Sequence, residues 1–154
     1  MTGNVMITMR TEARFEKIIS SGIYEVKLLI AEAMRYIDGT GDDSDDKRND
    51  IRLIVSELLL NALYHGNKEQ NAKKIILSIE HLKKDRFLIE VEDEGKGLSR
   101  KTLNQKRSLA VSRKPDFEEH GRGLILVAKL TGGIFAGRKG RKIRAKMSMS
   151  DKKS

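Results

Sequence analysis

Apolar residues fall at two different periods along this chain, and the two periods divide it into helices and strands. Ile23, Val26, Leu29, Ile30, Ala33, Met34 and Ile37 recur every three or four residues, which predicts a helix over 23–37 with one apolar stripe. Gly39 and Gly41 stop it, and 42–46 reads as an acidic, solvated loop without the spacing of a calcium loop. A second stripe of Ile51, Ile54, Val55, Leu58, Leu59 and Ala62 predicts a helix that runs to about Tyr64. Asp45 or Asp46 is available to cap its start. His65-Gly66-Asn67 ends it, with glycine available for a left-handed turn.

Alternation of period two marks the strands. Residues 5–10 read as a first strand. Residues 74–81 and 86–91 are β-rich and form a hairpin across 82–85. Residues 93–97 are a turn. From 98 to 120 the periodicity is weak and the single proline, Pro115, occurs. This stretch reads as a long loop with one short helix, a length that is uncommon without a function. Residues 123–130 form a helix that Gly132-Gly133 ends, and 134–137 with 141–149 make a closing hairpin around Lys139-Gly140. The tail 150–154 frays. The predicted architecture is therefore one domain over 1–154. It is α+β, a two-layer sandwich with helices on one face of a mixed, mainly antiparallel sheet.

Composition narrows the function. The 154 residues suffice for one real core. No stretch approaches the roughly 18 apolar residues of a membrane span, and no signal peptide is visible. The chain has no cysteine, which excludes disulfides and thiolate metal sites, and three scattered histidines do not make a zinc site. A cytoplasmic location is the expectation. The net charge is +9, yet aromatics are only 5%, poor for stacking on bases, and the basic residues follow no nucleic-acid motif. Direct nucleic-acid binding and membrane association are not expected.

Three segments carry candidate chemistry, each at the end of a regular element. In the first, Glu57 and Asn61 lie one helical turn apart, with Tyr64 or His65 on the same face. The Asn61 side-chain carbonyl suits a hard cation such as Mg²⁺, and Glu57 can orient or deprotonate a hydroxyl. In the second, Asp93-Glu94-Gly95-Lys96-Gly97 follows a strand directly. Its carboxylate can accept from an exocyclic amine such as that of adenine, and its glycines allow a ring close to the backbone. In the third, Gly121-Arg122-Gly123-Leu124 opens a helix, whose N–H groups attract phosphate, and Arg122 adds charge. An ordinary amphipathic helix, a plain turn and a plain loop-to-helix junction explain each segment taken singly.

Taken together, their order and spacing resemble the GHKL ATPases, the superfamily of gyrase and histidine kinases. Glu57…Asn61…His65-Gly66 looks like the N box, Asp93-x-Gly95-x-Gly97 the G1 box and Gly121-x-Gly123-Leu124 the G2 box. The resemblance implies a Bergerat-type sandwich in which the adenine amine meets Asp93 and Mg²⁺ meets Asn61. The ATP-binding set would be Asn61, His65, Asp93, Gly95, Gly97, Gly121, Arg122, Gly123 and Leu124, with 98–120 as the ATP lid.

Within that superfamily the chain is most similar to stand-alone anti-sigma factor serine kinases, on the segments 55–66 and 112–124. The resemblance implies binding of a sigma factor in the ATP state and Mg²⁺-dependent phosphorylation of a serine on a STAS-domain antagonist, with Glu57 as catalytic base. It also implies a possible homodimer. The chain departs from well-known members just before the G2 glycines. They carry a basic residue there, whereas this chain has Glu118 and Glu119, with Arg113, Lys114 and Arg122 as the nearby cations. Two alternatives stay open: an ATP-dependent protein-binding regulator without phosphotransfer, and a detached histidine-kinase catalytic domain.

Overall fold

The computed structural model describes residues 14–40, 45–82, 86–97, 101, 102, 104, 105, 108, 122–131, 134–137 and 141–148. Strand β1 (Arg14–Ser20) leads into helix α1 (Ile23–Asp38) and helix α2 (Asp45–Asn61), which continues as one π-helical turn, Ala62–Gly66. Then follow β2 (Lys74–Leu82), β3 (Arg86–Glu92), α3 (Arg122–Leu130), β4 (Ile134–Gly137) and β5 (Lys142–Ser148). Residues 101, 102, 104, 105 and 108 are helical, in keeping with one short helix after 97.

The strands form one sheet in the order β1-β2-β3-β5-β4. Every pair among the described residues is antiparallel, in keeping with the mainly antiparallel sheet expected from sequence. Chain direction gives the reason. Two hairpins are antiparallel by construction, and two helices between β1 and β2 return the chain reversed, where a single crossover helix would return it parallel.

One register puts apolar residues from every strand on the same face. Phe15, Ile79, Ile89, Ala145 and Ile134 follow one another across the sheet. Leu77, Val91 and Ile143 form the neighbouring row. The helices cover this face, and Val26, Leu29, Ile51, Leu58, Leu59 and Val127 pack into the same core cluster. The opposite face carries Glu80, Glu90 and Glu92 on β2 and β3, against Arg144 and Lys146 on β5. Arg144 pairs there with Glu90 at 2.5 Å.

Several boundaries differ from expectation. The first described strand is 14–20, which the sequence reading did not pick out because Glu16, Lys17 and Ile18 break its alternation. The strand expected at 5–10 lies outside the described residues. Asp45 and Asp46 are not loop residues, since α2 begins at Asp45.

The core sits beneath β3. Phe87 is fully buried and stacks on its cross-strand partner His81, with ring centroids 4.6 Å apart. Replacing Phe87 by Ala should cost about 3–5 kcal/mol in urea unfolding. Ile18 is 58% exposed, and Ile18→Ala should change stability by less than ~0.5 kcal/mol.

Candidate functional site

Where α2 ends, the helix widens. The Asn67 amide donates to the Ala62 carbonyl at 2.8 Å, a five-residue span that closes the π turn 62–66. The wider turn carries His65 and Gly66 toward the loop that follows β3. There Asp93, 8% exposed, accepts from the Gly95 amide through Oδ1 at 2.7 Å. Its own amide donates to the Arg141 carbonyl at 3.0 Å.

The two turns touch backbone to backbone. A Cβ on Gly66 would overlap the Asp93 carboxylate, and a Cβ on Gly95 would overlap the Gly66 carbonyl. Glycine is required at both positions for closeness, not for unusual torsions. The left-handed turn expected from Gly66 is thus corrected. The positive φ angles lie at Lys68 (51°) and Glu69 (58°), and in the second turn at Gly97 (91°). Gly66 serves instead as the floor against which Asp93 lies.

Two adjoining clefts open above this contact. The larger, about 250 Å³, is lined by Asn61, His65, Gly66, Lys68, Asp93, Lys96 and Gly97. The smaller, about 180 Å³, is lined by Glu57, Leu60, Asn61, Tyr64, His65, Gly123 and Leu124. Asn61 and His65 belong to both, so they stand at the junction. Of the two residues that shared a face with Asn61 in the sequence, His65 reaches both clefts and Tyr64 only the smaller. Glu57 lies against the start of α3, since a Cβ on Gly123 would overlap its carboxylate.

The structure thus gathers Glu57, Asn61, His65, Asp93, Gly97, Gly123 and Leu124 around one continuous depression, with Gly95 packed beneath it. Gly121 lies outside the described residues, and so does the side chain of Arg122, whose backbone begins α3. The expected lid at 98–120 falls almost wholly outside them. Sequence reasoning missed Lys68 and Lys96 on the walls of the larger cleft. It also missed the buried Asn67 beside it, because an Asn after a helix reads as a simple turn former.

The arrangement offers distinct chemistry at its two ends. Asp93 is a buried carboxylate acceptor on the wall of the larger cleft. Asn61 presents an amide carbonyl midway, an oxygen donor that suits Mg²⁺. The described residues hold no group of three His, Cys, Asp or Glu that would bind an ion by themselves. A cation at Asn61 would therefore complete its shell with ligand oxygens and water. The N-terminus of α3 closes the far end, where Glu57 stands beside Gly123.

Burial raises the Asp93 pKa above its ordinary value, and the Gly95 amide and Arg141 only partly oppose this.

Comparison with known proteins follows the same outline. Residues 25–147 match the model of the histidine kinase-like ATPase domain. The anti-sigma F factor of Oceanobacillus iheyensis is 26% identical over 93 residues, 60% of this chain and 62% of that protein. The anti-sigma F factor of Bacillus subtilis is 29% identical over 86 residues, 56% of this chain and 57% of that protein. The Clostridium perfringens protein of the same description is 30% identical over 86 residues, 56% of this chain and 59% of its own length. The chain thus spans about 57–62% of the length of these relatives. Among solved structures, the histidine kinase domain of a blue-light activated histidine kinase from Erythrobacter litoralis superposes with a TM-score of 0.49 at 20% identity, covering 82% of this chain and 60% of that one.

Two stability experiments test the geometry. Gly66→Ala should destabilise by about 1–3 kcal/mol in urea, the usual cost of forcing atoms into a packed contact. The raised Asp93 pKa means that the native state binds its proton more tightly than the unfolded chain. Its contribution to stability is therefore present at low pH and lost as pH rises through the folded pKa. Asp93→Asn removes that titration. It should be more stable than the parent at pH 7, and the difference should shrink as pH falls toward 4. An unchanged difference across that range would contradict the burial account.

Proposed function

The chain belongs to the histidine kinase-like ATPase domain family, and from that premise we propose that it binds Mg·ATP and acts as an anti-sigma serine kinase. The observation that carries this reading is the buried Asp93 held against Gly66 at one end of a depression whose other end is Glu57 beside α3.

Adenine enters the larger cleft and its exocyclic amine donates to Asp93. The buried setting makes this contact selective, since a mismatched base edge leaves the carboxylate unpaired. The triphosphate runs over Asn61, the residue that would hold Mg²⁺; the ion would neutralise developing phosphate charge. Amides near Gly121 and Gly123, with Arg122, hold the phosphate tail. The serine oxygen of a STAS-domain antagonist attacks the γ-phosphorus. The bond to the bridging oxygen breaks, ADP leaves, and Glu57 takes the serine proton. The proposed partners are a sigma factor and that antagonist, in the cytoplasm, with a homodimer as one possible assembly. The similarity to proteins described as anti-sigma F factors supports the sigma-factor partner.

One sequence feature favours a second reading. Glu118 and Glu119 precede the third motif where a cation would face the terminal phosphate. Under that reading ATP orders a partner-binding surface and no phosphate moves.

Calorimetry with Mg·ATP separates these outcomes. Wild type should bind, and Asp93→Ala should weaken binding about 10- to 100-fold, the value of one hydrogen bond to a charged group. Unchanged affinity in that variant would remove the adenine assignment. Glu57→Gln should retain ATP affinity and lose serine phosphorylation by at least about 100-fold. Equal transfer in that variant would remove its role as base, and ATP-dependent partner binding without any transfer by wild type would favour the second reading.

A further inference from the structure

Asn67 is fully buried, and its side chain is completely committed. Nδ2 donates to Ser21 Oγ at 2.7 Å and to the Lys74 carbonyl at 2.8 Å. Oδ1 accepts from the Glu94 amide at 2.7 Å. Ser21 Oγ in turn donates to the Lys73 carbonyl at 2.9 Å, and Glu94 Oε2 accepts from the Lys74 amide at 2.6 Å.

This one residue grips both turns that meet beneath the larger cleft. Its backbone amide closes the π turn on Ala62, which sets Gly66. Its side-chain oxygen holds the peptide that joins Asp93 to Glu94. The Asp93 carboxylate lies between those two fixed points, with Gly66 on one side and the Gly95 amide on the other. A buried amide with every partner in place resists rotation, because any turn leaves polar atoms unpaired in a dry site.

We infer that Asn67 is a positioning residue for the nucleotide base: it aims the Asp93 carboxylate at the adenine amine and so sets selectivity for adenine. The inference rests on the reading of Asp93 as the adenine acceptor. It adds that base selectivity depends on a residue outside the cleft walls. Loss of the Asn67 oxygen frees the Glu94 peptide, and the carboxylate then samples orientations that serve other base edges equally well.

The test compares Mg·ATP with Mg·ITP, whose base carries an oxygen where adenine carries its amine. Calorimetry is run on the full chain as wild type, Asp93→Ala, Asn67→Ala, Asn67→Asp and Ser21→Ala, each with a urea unfolding curve. Wild type should prefer ATP by about tenfold or more, the scale of one selective hydrogen bond. Asn67→Ala should lower that preference at least about fivefold by weakening ATP while ITP changes little. Asn67→Asp keeps an acceptor for the Glu94 amide and should hold the preference to within about twofold, at a lower urea midpoint. Ser21→Ala should lower the midpoint and leave the preference intact.

A folded Asn67→Ala protein with wild-type preference would overturn the inference, and so would one in which both nucleotides weaken equally. If Asn67→Ala does not fold, Asn67→Asp decides: preference kept supports the role, and preference lost refutes it. Wild type with no preference between the two nucleotides would instead overturn the assignment of adenine to Asp93, whatever the Asn67 variants do.

Discussion

The contact on which the site depends is the approach of two backbone turns with no side chain between them. Gly66 at the end of the π turn and Gly95 after β3 meet so closely that a methyl group at either would strike the other turn. That closeness walls Asp93 away from water on one side. It also sets the distance from Asp93 to Asn61, because Asn61 is the last residue of α2 and Gly66 ends the turn that follows it. Strand β3 and helix α2 are thereby locked at one spacing, and the depression between them takes its shape from it.

The core supports this contact from below. Leu58, Leu59, Ala62 and Leu63 of α2 and its π turn share one buried core cluster with Ile75, Leu77, Ile89 and Val91 of the sheet. Polar groups occupy the other side at intervals of a helical turn. Core packing and the candidate site are thus divided by face on the same seventeen-residue helix. The π turn adds the rotation needed to bring His65 to both clefts, an adjustment that a regular helix would not supply.

Asn67 unites these parts. It is an uncharged residue among acidic and basic neighbours, and it links β1, the start of β2, the π turn and the Asp93 turn. Three side-chain bonds tie it to Ser21, Lys74 and Glu94, and its backbone amide closes the π turn. A fully satisfied buried amide of this kind specifies geometry more than it adds stability.

The chain by itself determined much of this. The stripes at 23–37 and 51–62, the alternation of 74–81 and 86–91, and the order of elements were legible because each follows from local periodicity. Glu57, Asn61, His65 and Asp93 could be picked out because their residue types stand at element ends, and the structure brings them to the two clefts. Strand β1 was not legible, since charged residues interrupt it and only its pairing with β2 makes it a strand. The antiparallel register across β3 and β5 joins residues fifty or more positions apart, which no local pattern encodes. The roles of Gly66 and Asn67 were hidden for the same reason. A glycine or an asparagine after a helix satisfies a turn as well as any other use, and only the arrival of Asp93 against Gly66, and of Glu94 against Asn67, decides what each is for.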